Sequence, residues 1–401
     1  MTAVPASVPA SLPRRLTILG ATGSIGRSTE AVILGAPGVF ETVAVAGGRD
    51  AQNLARVARA LGAEFAAIAE PSAYAELKDA LAGTNIAVGA GPEALKEAAA
   101  MESDLVIGAI AGAAGVAPTY AAVEAGRDVA LANKECLVCA GDSFMRKARE
   151  KGVRVLPMDS EHNAIFQALG GESARTIEKM WLTASGGPFR TWSAEQIAAA
   201  TPDQALAHPN WAMGPKVTID SASLMNKGLE LIEALHIFGV EARKLDVLVH
   251  PQSIVHGLVS FEDGAVTAGM AVPDMKVPIA HCLGWPDRVP TRARRLDLAE
   301  IGALTFEKPD FARFPALRVA MQALAAGGAM PTILNAANEI MVAAFLDKHI
   351  SFNDIAKNVE AICELFEKEG AARTPANIEA ALAVDHNVRE RSRARLAALG
   401  H

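Results

Sequence analysis

Two acidic residues, Asp159 and Glu161, stand two positions apart in the stretch 156–166, LPMDSEHNAIF, which directly follows a short apolar run at 153–155. Like charges at this spacing repel, so a group of opposite charge is expected to hold them. If the segment is extended, both side chains point to the same side. Carboxylate oxygens are the ligands that Mg²⁺ and Mn²⁺ prefer, so we predict a divalent-metal site, with a third carboxylate in the segment 225–230. The alternative is a solvated turn.

Hydroxyl, amide and ammonium groups recur in two further segments. The segment 183–188, TASGGP, offers hydroxyl and backbone donors, and a second set consists of Ser221, Ser223, Asn226 and Lys227. Neutral donors beside one ammonium group suit a phosphate. The sequence therefore predicts an anionic, hydroxylated substrate.

A glycine-rich turn at 20–26, GATGSIG, joins the first predicted strand to the first predicted helix. Glycines permit a tight turn and close approach to a pyrophosphate, and the helix N-terminus offers N–H groups to it. The alternative is a turn that binds no ligand. The stretch Asn133-Lys134-Glu135 closes a later strand, where a ligand crevice is expected, although Glu135 could instead pair with Lys134 on the surface.

The end of the second predicted strand decides between the two nicotinamide dinucleotides. NAD sites usually have an acidic residue there, which binds the ribose 2′-hydroxyl. This chain has Arg49 instead, and a guanidinium suits a 2′-phosphate. We predict NADPH over NADH, provided that Arg49 neutralises the neighbouring Asp50 or that Asp50 points away.

The order of the elements predicts an α/β fold. From residue 14 to about 158, apolar strands alternate with amphipathic helices, which predicts a parallel Rossmann-like sheet. Alternation at 245–249 and 257–261 predicts a second, open sheet behind the site. From about 317 the helical period predicts a bundle, with an N-cap at Asn353 and a helix start at Thr374.

These patterns predict five regions along the chain. They are a flexible tail at 1–13, an NADPH-binding Rossmann-like domain at 14–158, a catalytic domain that binds metal and substrate at 159–290, a connecting arm at 291–316, and a C-terminal α-helical domain at 317–401. The Gly/Pro-rich stretch 186–216 is predicted to be a lid, in which Trp211 covers apolar substrate surface; the alternative is a surface loop with its tryptophans in the core.

Composition limits the function further. The 401 residues are 51% hydrophobic and 21% charged, as in ordinary globular proteins, and the net charge of −7 argues against a nucleic-acid partner. We see no membrane-spanning run and no secretory signal. Four cysteines give no disulfide framework, and the spacing of Cys136 and Cys139 is more simply chance than a redox or zinc pair. We predict a cytoplasmic protein.

A series of motifs, in this order, resembles one family, the 1-deoxy-D-xylulose 5-phosphate reductoisomerases. The motifs are GATGSIG, AGAAG (111–115), LANKE (131–135), MDSEHNAIFQ (158–167), ASGGPF (184–189), HPNWAMG (208–214), DSASLMNKGLE (220–230), HPQSIVH (250–256) and LNAANE (334–339). The resemblance implies an NADPH- and metal-dependent homodimer. It would isomerise and reduce 1-deoxy-D-xylulose 5-phosphate to 2-C-methyl-D-erythritol 4-phosphate, in the non-mevalonate isoprenoid pathway.

The resemblance also implies roles for individual residues. NADPH contacts would be Thr22, Gly23, Ser24, Ile25, Gly48, Arg49, Asp50, Asn133, Glu135 and Gly214. One Mg²⁺ or Mn²⁺ per active site would be bound by Asp159, Glu161 and Glu230. Substrate contacts would be Lys134, Ser160, Glu161, Ser185, His208, Trp211, Ser221, Asn226, Lys227 and Glu230, and the catalytic group Lys134, Asp159, Glu161, Glu230 and His208.

Some features leave alternatives open. The family often has Asn at Asp50 and Ser at Cys136. His250 and His256 either brace the site or take part in it. A generic NADP-dependent dehydrogenase would need no metal triad, and a non-enzymatic dinucleotide sensor would need neither the triad nor a phosphate site.

Overall fold

The computed structural model describes residues 13–172, 174–209, 211 and 213–398, so the predicted tail lies outside the described residues except for its last position. The strands are β1 (Arg14–Leu19), β2 (Phe40–Gly47), β3 (Phe65–Ile68), β4 (Ala87–Ala90), β5 (Leu105–Gly108), β6 (Asp128–Leu131), β7 (Val155–Pro157), β8 (Ile177–Ala184), β9 (Leu245–Val249), β10 (Val255–Phe261) and β11 (Val266–Met270). The helices are α1 (Ser24–Leu34), α2 (Ala51–Leu61), α3 (Tyr74–Ala80), α4 (Gly91–Ala100), α5 (Val116–Glu124), α6 (Glu135–Val138), α7 (Gly141–Lys151), α8 (Ser160–Leu169), α9 (Ala194–Ala198), α10 (Pro202–Ala205), α11 (Pro215–Ser223), α12 (Met225–Phe238), α13 (Lys276–Gly284), α14 (Leu298–Ile301), α15 (Pro315–Ala326), α16 (Met330–Leu346), α17 (Phe352–Lys368) and α18 (Ile378–Ala398). No helix within these ranges is both long and apolar enough to cross a membrane.

The first of two compact units contains a parallel sheet. This unit comprises the described residues up to Cys136, together with Phe144–Asn163 and Asp274–Arg295. Its strands lie in the order β4-β3-β2-β1-β5-β6-β7. Chain order therefore reverses between β1 and β5, and sheets of this kind bind ligands beyond the carboxyl ends of the strands at such a reversal. The predicted Rossmann-like fold is confirmed.

Buried hydrogen bonds explain why the segment Asp274–Arg295 belongs to the first unit. The guanidinium of Arg14, 6% exposed, donates to the carbonyls of Leu283 at 2.7 Å and Trp285 at 3.0 Å, at the end of α13. The guanidinium of Arg154 also lies over the Trp285 ring, 5.0 Å from its centroid. The boundary between the two compact units therefore differs from the predicted one, which assigned residues up to 290 to the catalytic domain.

The second unit combines a mixed sheet with the C-terminal helices. It comprises Leu137–Ser143, Ala164–Pro273 and Leu296–His401, and its strands lie in the order β11-β10-β8-β9. β8 pairs parallel with β9 and antiparallel with β10. Leu182 of β8, Leu229 of α12 and Ile333 of α16 lie in one buried core. The predicted second sheet and helical C-terminal region are confirmed, and the two share that core.

Two local predictions in the second unit are wrong. Ser351, not Asn353, caps α17, where its hydroxyl forms a capping box with Asp354. The last helix begins at Ile378 rather than at Thr374. The predicted connecting arm includes the short helix α14, which Asp297 caps by accepting the Ala299 N–H at 2.9 Å. At α14 and α18 a short polar side chain that accepts N–H groups fixes the start of the helix, since Asn377 Oδ1 accepts the Ala380 N–H at 2.8 Å.

Candidate functional site

Four loops of the first unit gather the predicted cofactor and acidic residues at one edge of the parallel sheet. Residues 22–25 follow β1, 48–50 follow β2, 133–135 follow β6 and 159–161 follow β7. Because these strands are parallel, their carboxyl ends all lie at the same edge. This edge is where a doubly wound sheet binds its ligands.

The glycine turn after β1 is built for close backbone approach. Gly20 has φ +90°, and a Cβ there would lie 2.4 Å from the carbonyl oxygen of Ala109, which follows β5. α1 begins at Ser24 with Gly23 as its N-cap, and no side chain caps it. The first N–H groups of α1 are thus suited to anionic oxygens, as the predicted pyrophosphate contact requires.

Asp50 has a structural task that removes its apparent conflict with Arg49. Its carboxylate caps α2 by accepting the Asn53 N–H at 3.0 Å. The carboxylate is thereby directed to its own helix, while Arg49 is exposed beside it. Arg49 also attracts the nearby Glu70 carboxylate, whose pKa is lowered first by hydrogen bonds from Ser72 and only weakly by Arg49. Arg49 is therefore the group at this strand end that suits a 2′-phosphate.

The side chain of Asn133 holds two loops together. It is 3% exposed, and its amide nitrogen donates to the carbonyl of Ile110, to that of Gly112 at 3.0 Å, and to Glu135 Oε2 at 3.0 Å. Its amide oxygen accepts the Cys136 N–H at 2.9 Å. The side chain thus fixes the loop after β5 against the loop after β6. A cofactor contact at this residue would fall to its backbone.

Lys134 is the cation beside the acidic pair of the first unit. Its ammonium forms an ion pair with Asp159, with both side chains less than one-fifth exposed, and the Ser160 hydroxyl donates to Glu161. The extended conformation considered for this segment is wrong, because α8 begins at Ser160. Asp159 instead precedes the helix and Glu161 lies in its first turn, where the helix dipole favours negative charge. The Glu161 N–H lies 3.3 Å from Asp159 Oδ1.

Asn163 is a positioning residue that the sequence analysis missed. Its amide donates to the Pro157 carbonyl at 2.9 Å and lies 3.1 Å from Nδ1 of His281. The Cys282 thiol donates to the same carbonyl at 3.2 Å. The end of β7, just before the acidic pair, is therefore tied to α13. An amide at an interior helix position within an otherwise charged motif was the available signal.

Helix α12 of the second unit presents three polar side chains together. Asn226 Nδ2 donates to one carboxylate oxygen of Glu230, and Lys227 Nζ lies 2.5 Å from the other. All three residues are buried, Glu230 to 1% exposure. The amide oxygen of Asn226 has no hydrogen-bond partner among the described residues. Since buried polar atoms are normally paired, this acceptor points to a missing donor such as a ligand hydroxyl.

The loop carrying Ser185 is seated on helix α11. Gly187 has φ +65°, and a Cβ there would lie 2.9 Å from the Ser221 carbonyl oxygen, so the loop packs against the backbone beside Ser221. The Ser185 hydroxyl accepts the Gly187 N–H at 3.2 Å and lies 3.1 Å from Nε2 of His208. The second unit thus brings Ser185 next to both Ser221 and His208.

His208 is held neutral near pH 7. Its Nδ1 accepts the Trp211 N–H at 3.0 Å, so in the neutral ring Nε2 bears the proton that faces Ser185. Burial, and then repulsion from Lys227, lower the pKa of His208 from 6.5 to about 4. We expect an NMR titration of the ring protons to show a midpoint near that value.

The pH dependence of stability follows with a definite sign. Unfolded His208 binds its proton at the ordinary pKa of 6.5, so between 6.5 and about 4 the unfolded state binds more protons. Its contribution to the free energy of unfolding therefore falls as the pH is lowered through that window. His208→Gln identifies the resonance and removes the contribution, and a ring midpoint near 6.5 in the wild type would contradict the assignment.

The first half of the predicted lid is anchored in the core by a few apolar side chains. Phe189 is fully buried, Ile197 is 1% exposed, and the Trp192 ring packs 4.7 Å from that of Phe189. Trp192 is therefore structural, as the alternative held. The part of the stretch that could still act as a lid lies after α10. There the ring centroid of Trp211 lies 6.2 Å from that of His256, and Gly214 is the N-cap of α11.

The two histidines of the HPQSIVH motif bond to backbone carbonyls. His250 Nδ1 lies 2.8 Å from the Thr305 carbonyl oxygen, and its ring stacks on Phe306 at 4.7 Å. His256 Nε2 lies 3.2 Å from the Ala271 carbonyl oxygen. Both contacts favour the bracing interpretation over direct participation.

Comparison with known families gives matches along most of the chain. The model of 1-deoxy-D-xylulose 5-phosphate reductoisomerase matches residues 16–141. The model of the enzyme's C-terminal domain matches residues 155–238. A further model, the DXP reductoisomerase C-terminal domain, matches residues 270–391.

Individual relatives agree with these matches. The 1-deoxy-D-xylulose 5-phosphate reductoisomerase of Afipia carboxidovorans is 55% identical over 399 residues, covering 99% of this chain and 98% of its own length. That of a Bradyrhizobium species is 53% identical, covering 94% and 93%. The Zymomonas mobilis enzyme in complex with NADPH is 46% identical with a TM-score of 0.90, covering 96% and 99%. A DOX-P reductoisomerase in complex with NADPH, fosmidomycin and magnesium is 40% identical with a TM-score of 0.92, covering 97% and 99%.

Proposed function

The chain belongs to the 1-deoxy-D-xylulose 5-phosphate reductoisomerase family, and from this we infer its activity and the task of each site residue. It is an NADPH-dependent oxidoreductase that converts 1-deoxy-D-xylulose 5-phosphate to 2-C-methyl-D-erythritol 4-phosphate with a divalent metal. NADPH and Mg²⁺ are its cofactors. The structural feature that supports this most is the sheet edge of the first unit, where the glycine turn and the acidic pair share one side.

We propose that Asp159, Glu161 and Glu230 hold the metal ion. The donor set fits a hard cation, because all three are carboxylates. Each is already engaged by positive or hydrogen-bond donor groups, Lys134 for Asp159, Ser160 for Glu161, and Lys227 with Asn226 for Glu230. Such hydrogen bonds and ion pairs orient the carboxylates. The same ligands suit Mn²⁺ as well as Mg²⁺.

The remaining residues bind and orient the substrate. When bound, the divalent ion stabilises negative charge on substrate oxygens as the skeleton rearranges, and NADPH supplies the hydride that reduces the resulting aldehyde. Lys227, Ser185 and Ser221 are proposed to bind the phosphate, with the neutral His208 donating from Nε2. The unpartnered oxygen of Asn226 is proposed to accept a substrate hydroxyl. Lys134 and Ser160 are proposed to contact the carbon chain.

One assay separates this activity from its rivals. The purified chain with substrate, NADPH and Mg²⁺ should oxidise NADPH and form 2-C-methyl-D-erythritol 4-phosphate in equal amounts, measured by absorbance and NMR. EDTA should abolish both signals, and Mg²⁺ or Mn²⁺ should restore them. Turnover that ignores EDTA would support a generic dehydrogenase, and binding of NADPH without consumption would support a sensor.

Arg49 should set the preference for NADPH. We expect Arg49→Gln to raise the KM for NADPH about tenfold, the loss of one charge-assisted contact, and to leave the KM for NADH nearly unchanged. Arg59→Gln, on the neighbouring helix α2, where the guanidinium donates to the Ala80 carbonyl, is the control and should not alter the preference. Equal losses with both cofactors would place Arg49 away from the 2′-phosphate.

We propose that the chain is a cytoplasmic homodimer. β11 is the outer strand of the mixed sheet and exposes Val266 and Met270, and an exposed apolar edge strand favours pairing with a second copy. The four cysteines are buried and form no disulfide bond, which suits a reducing compartment. Light scattering should give twice the mass of the chain. Val266→Lys should shift the measured mass toward that of the monomer, whereas Leu298→Lys, at an exposed apolar residue on α14, serves as the control for added charge.

A further inference from the structure

A buried polar pair joins helix α11 to helix α16. Asp220 is 1% exposed and Asn338 is fully buried. The amide nitrogen of Asn338 donates to Asp220 Oδ1 at 2.8 Å, and the Lys216 ammonium lies 2.9 Å from Oδ2. Both oxygens of this carboxylate are therefore engaged inside the second unit, one by each helix.

Stability alone is a weak explanation for such a pair. Buried ionic groups cost desolvation free energy, and apolar residues in their place often stabilise a protein as well or better. The Asn338 amide oxygen, moreover, has no hydrogen-bond partner among the described residues. An arrangement that leaves a buried acceptor unpaired is more easily understood if the orientation of α11 matters for function.

The position of Asp220 shows what that orientation controls. It directly precedes Ser221, and α11 ends three residues later. Leu224, with φ +62°, then turns the chain directly into α12, which begins with Met225, Asn226 and Lys227. A rotation or shift of α11 would therefore move Ser221 and the start of α12 together.

Helix α16 is well suited to be the fixed partner. It is a 17-residue helix with 13 buried positions. Its Asn335 lies 3.5 Å from the Lys216 ammonium and donates to Glu339 at 3.0 Å, and Glu339 in turn pairs with Arg389 of α18 at 2.8 Å. A chain of polar contacts thus links α11 through α16 to α18.

We propose that Asp220 and Asn338 are positioning residues that set the affinity of the phosphate site by fixing α11 against α16. Neither side chain touches the substrate. This inference rests on the proposed assignment of Ser221 and Lys227 to the phosphate and of Asn226 to a substrate hydroxyl. It predicts a loss of phosphate affinity that can be reversed by exchanging the two side chains, because an amide placed on α11 could donate to a carboxylate placed on α16, the reverse of the present hydrogen bond.

The test compares Asp220→Asn, Asn338→Asp and the double exchange in the full chain. We expect each single variant to raise the KM for the substrate and the Kd for inorganic phosphate about tenfold, with kcat and the Kd for NADPH changed less than about threefold. The double exchange should recover most of both losses. Asn358→Ala removes another buried amide, on α17, which donates to the Asp354 carbonyl and accepts from Arg395, and it should leave the KM unchanged.

Phosphate binding, followed by ³¹P NMR, is measured independently of turnover. Failure of the wild type to turn over substrate would refute the proposed activity, yet the phosphate Kd values would still decide this inference. Unchanged phosphate affinity in a folded Asp220→Asn variant, additive losses in the double exchange, or an equal loss in Asn358→Ala would each overturn it. Should Asp220→Asn not fold, Asn338→Ala, which keeps the pair of Asp220 with Lys216, replaces it in the comparison.

Discussion

Glu230→Gln should lower kcat by about a thousandfold or more and leave the Kd for NADPH nearly unchanged. Glutamine keeps the shape of the side chain but removes its charge, so the proposed metal site loses one of three anionic ligands. A metal ion contributes several kcal/mol of charge stabilisation in the transition state, and each ~1.36 kcal/mol is a factor of ten in rate. Single-turnover kinetics and a fluorescence titration of NADPH measure the two quantities separately.

A second carboxylate provides the control for this result. Glu30 on α1 is also buried and pairs with Arg56 at 2.6 Å, but no role in the site is proposed for it. Glu30→Gln should leave kcat unchanged. High Mg²⁺ or Mn²⁺ should restore part of the activity of Glu230→Gln if the loss is one of metal affinity. Equal losses of turnover and NADPH binding would contradict the assignment of Glu230 to the metal.

The parallel sheet was predictable because its strands carry strong signals. β1, β2, β3 and β5 are apolar runs bounded by turns, as strands buried on both faces should be. β4, with the sequence AVGA, was missed because alanine and glycine have little strand propensity. β8 was missed because two charged residues, Glu178 and Lys179, lie close to its start and interrupt the apolar pattern. The structure satisfies Lys179 through Asp246 of the neighbouring β9 at 2.7 Å, a pairing that no local pattern reveals.

In the candidate site, too, some residues could be identified from short motifs, whereas others could be identified only from the tertiary structure. The acidic pair, the glycine turn and the MNKGLE motif could be recognised from the sequence, because each is a short segment of residue types that bind ligands. The residues that contact and orient these segments could not be recognised from the sequence. Asn163 acts through α13 and Asp220 through α16, more than one hundred positions away in each case. Only the packed structure shows that these amides and carboxylates orient the residues that the motifs identify.

Lys227→Ala should reduce kcat/KM by roughly 100-fold, and more through KM than through kcat. A charge-assisted hydrogen bond is worth about 1.5–3 kcal/mol, which accounts for the loss of phosphate affinity. The sequence alone predicts an effect on KM, but the structure adds a second one. Because Lys227 Nζ lies 2.5 Å from Glu230 Oε2 inside a buried cluster, its removal also leaves the Glu230 carboxylate without its cation. A smaller loss of kcat should therefore accompany the rise in KM.

Two measurements separate these contributions of Lys227. In a double-mutant cycle with Glu230→Gln, the KM effects should add, whereas the kcat effects should not, because the second contribution passes through Glu230. The ring of His208 gives an independent signal, since repulsion from Lys227 helps to lower its pKa. In Lys227→Ala that pKa should rise, while Lys227→Arg, which keeps the charge, should hold it low. An unchanged His208 titration in Lys227→Ala would show that the ammonium does not act at the phosphate end of the site, and the assignment of Lys227 to the phosphate would then be wrong.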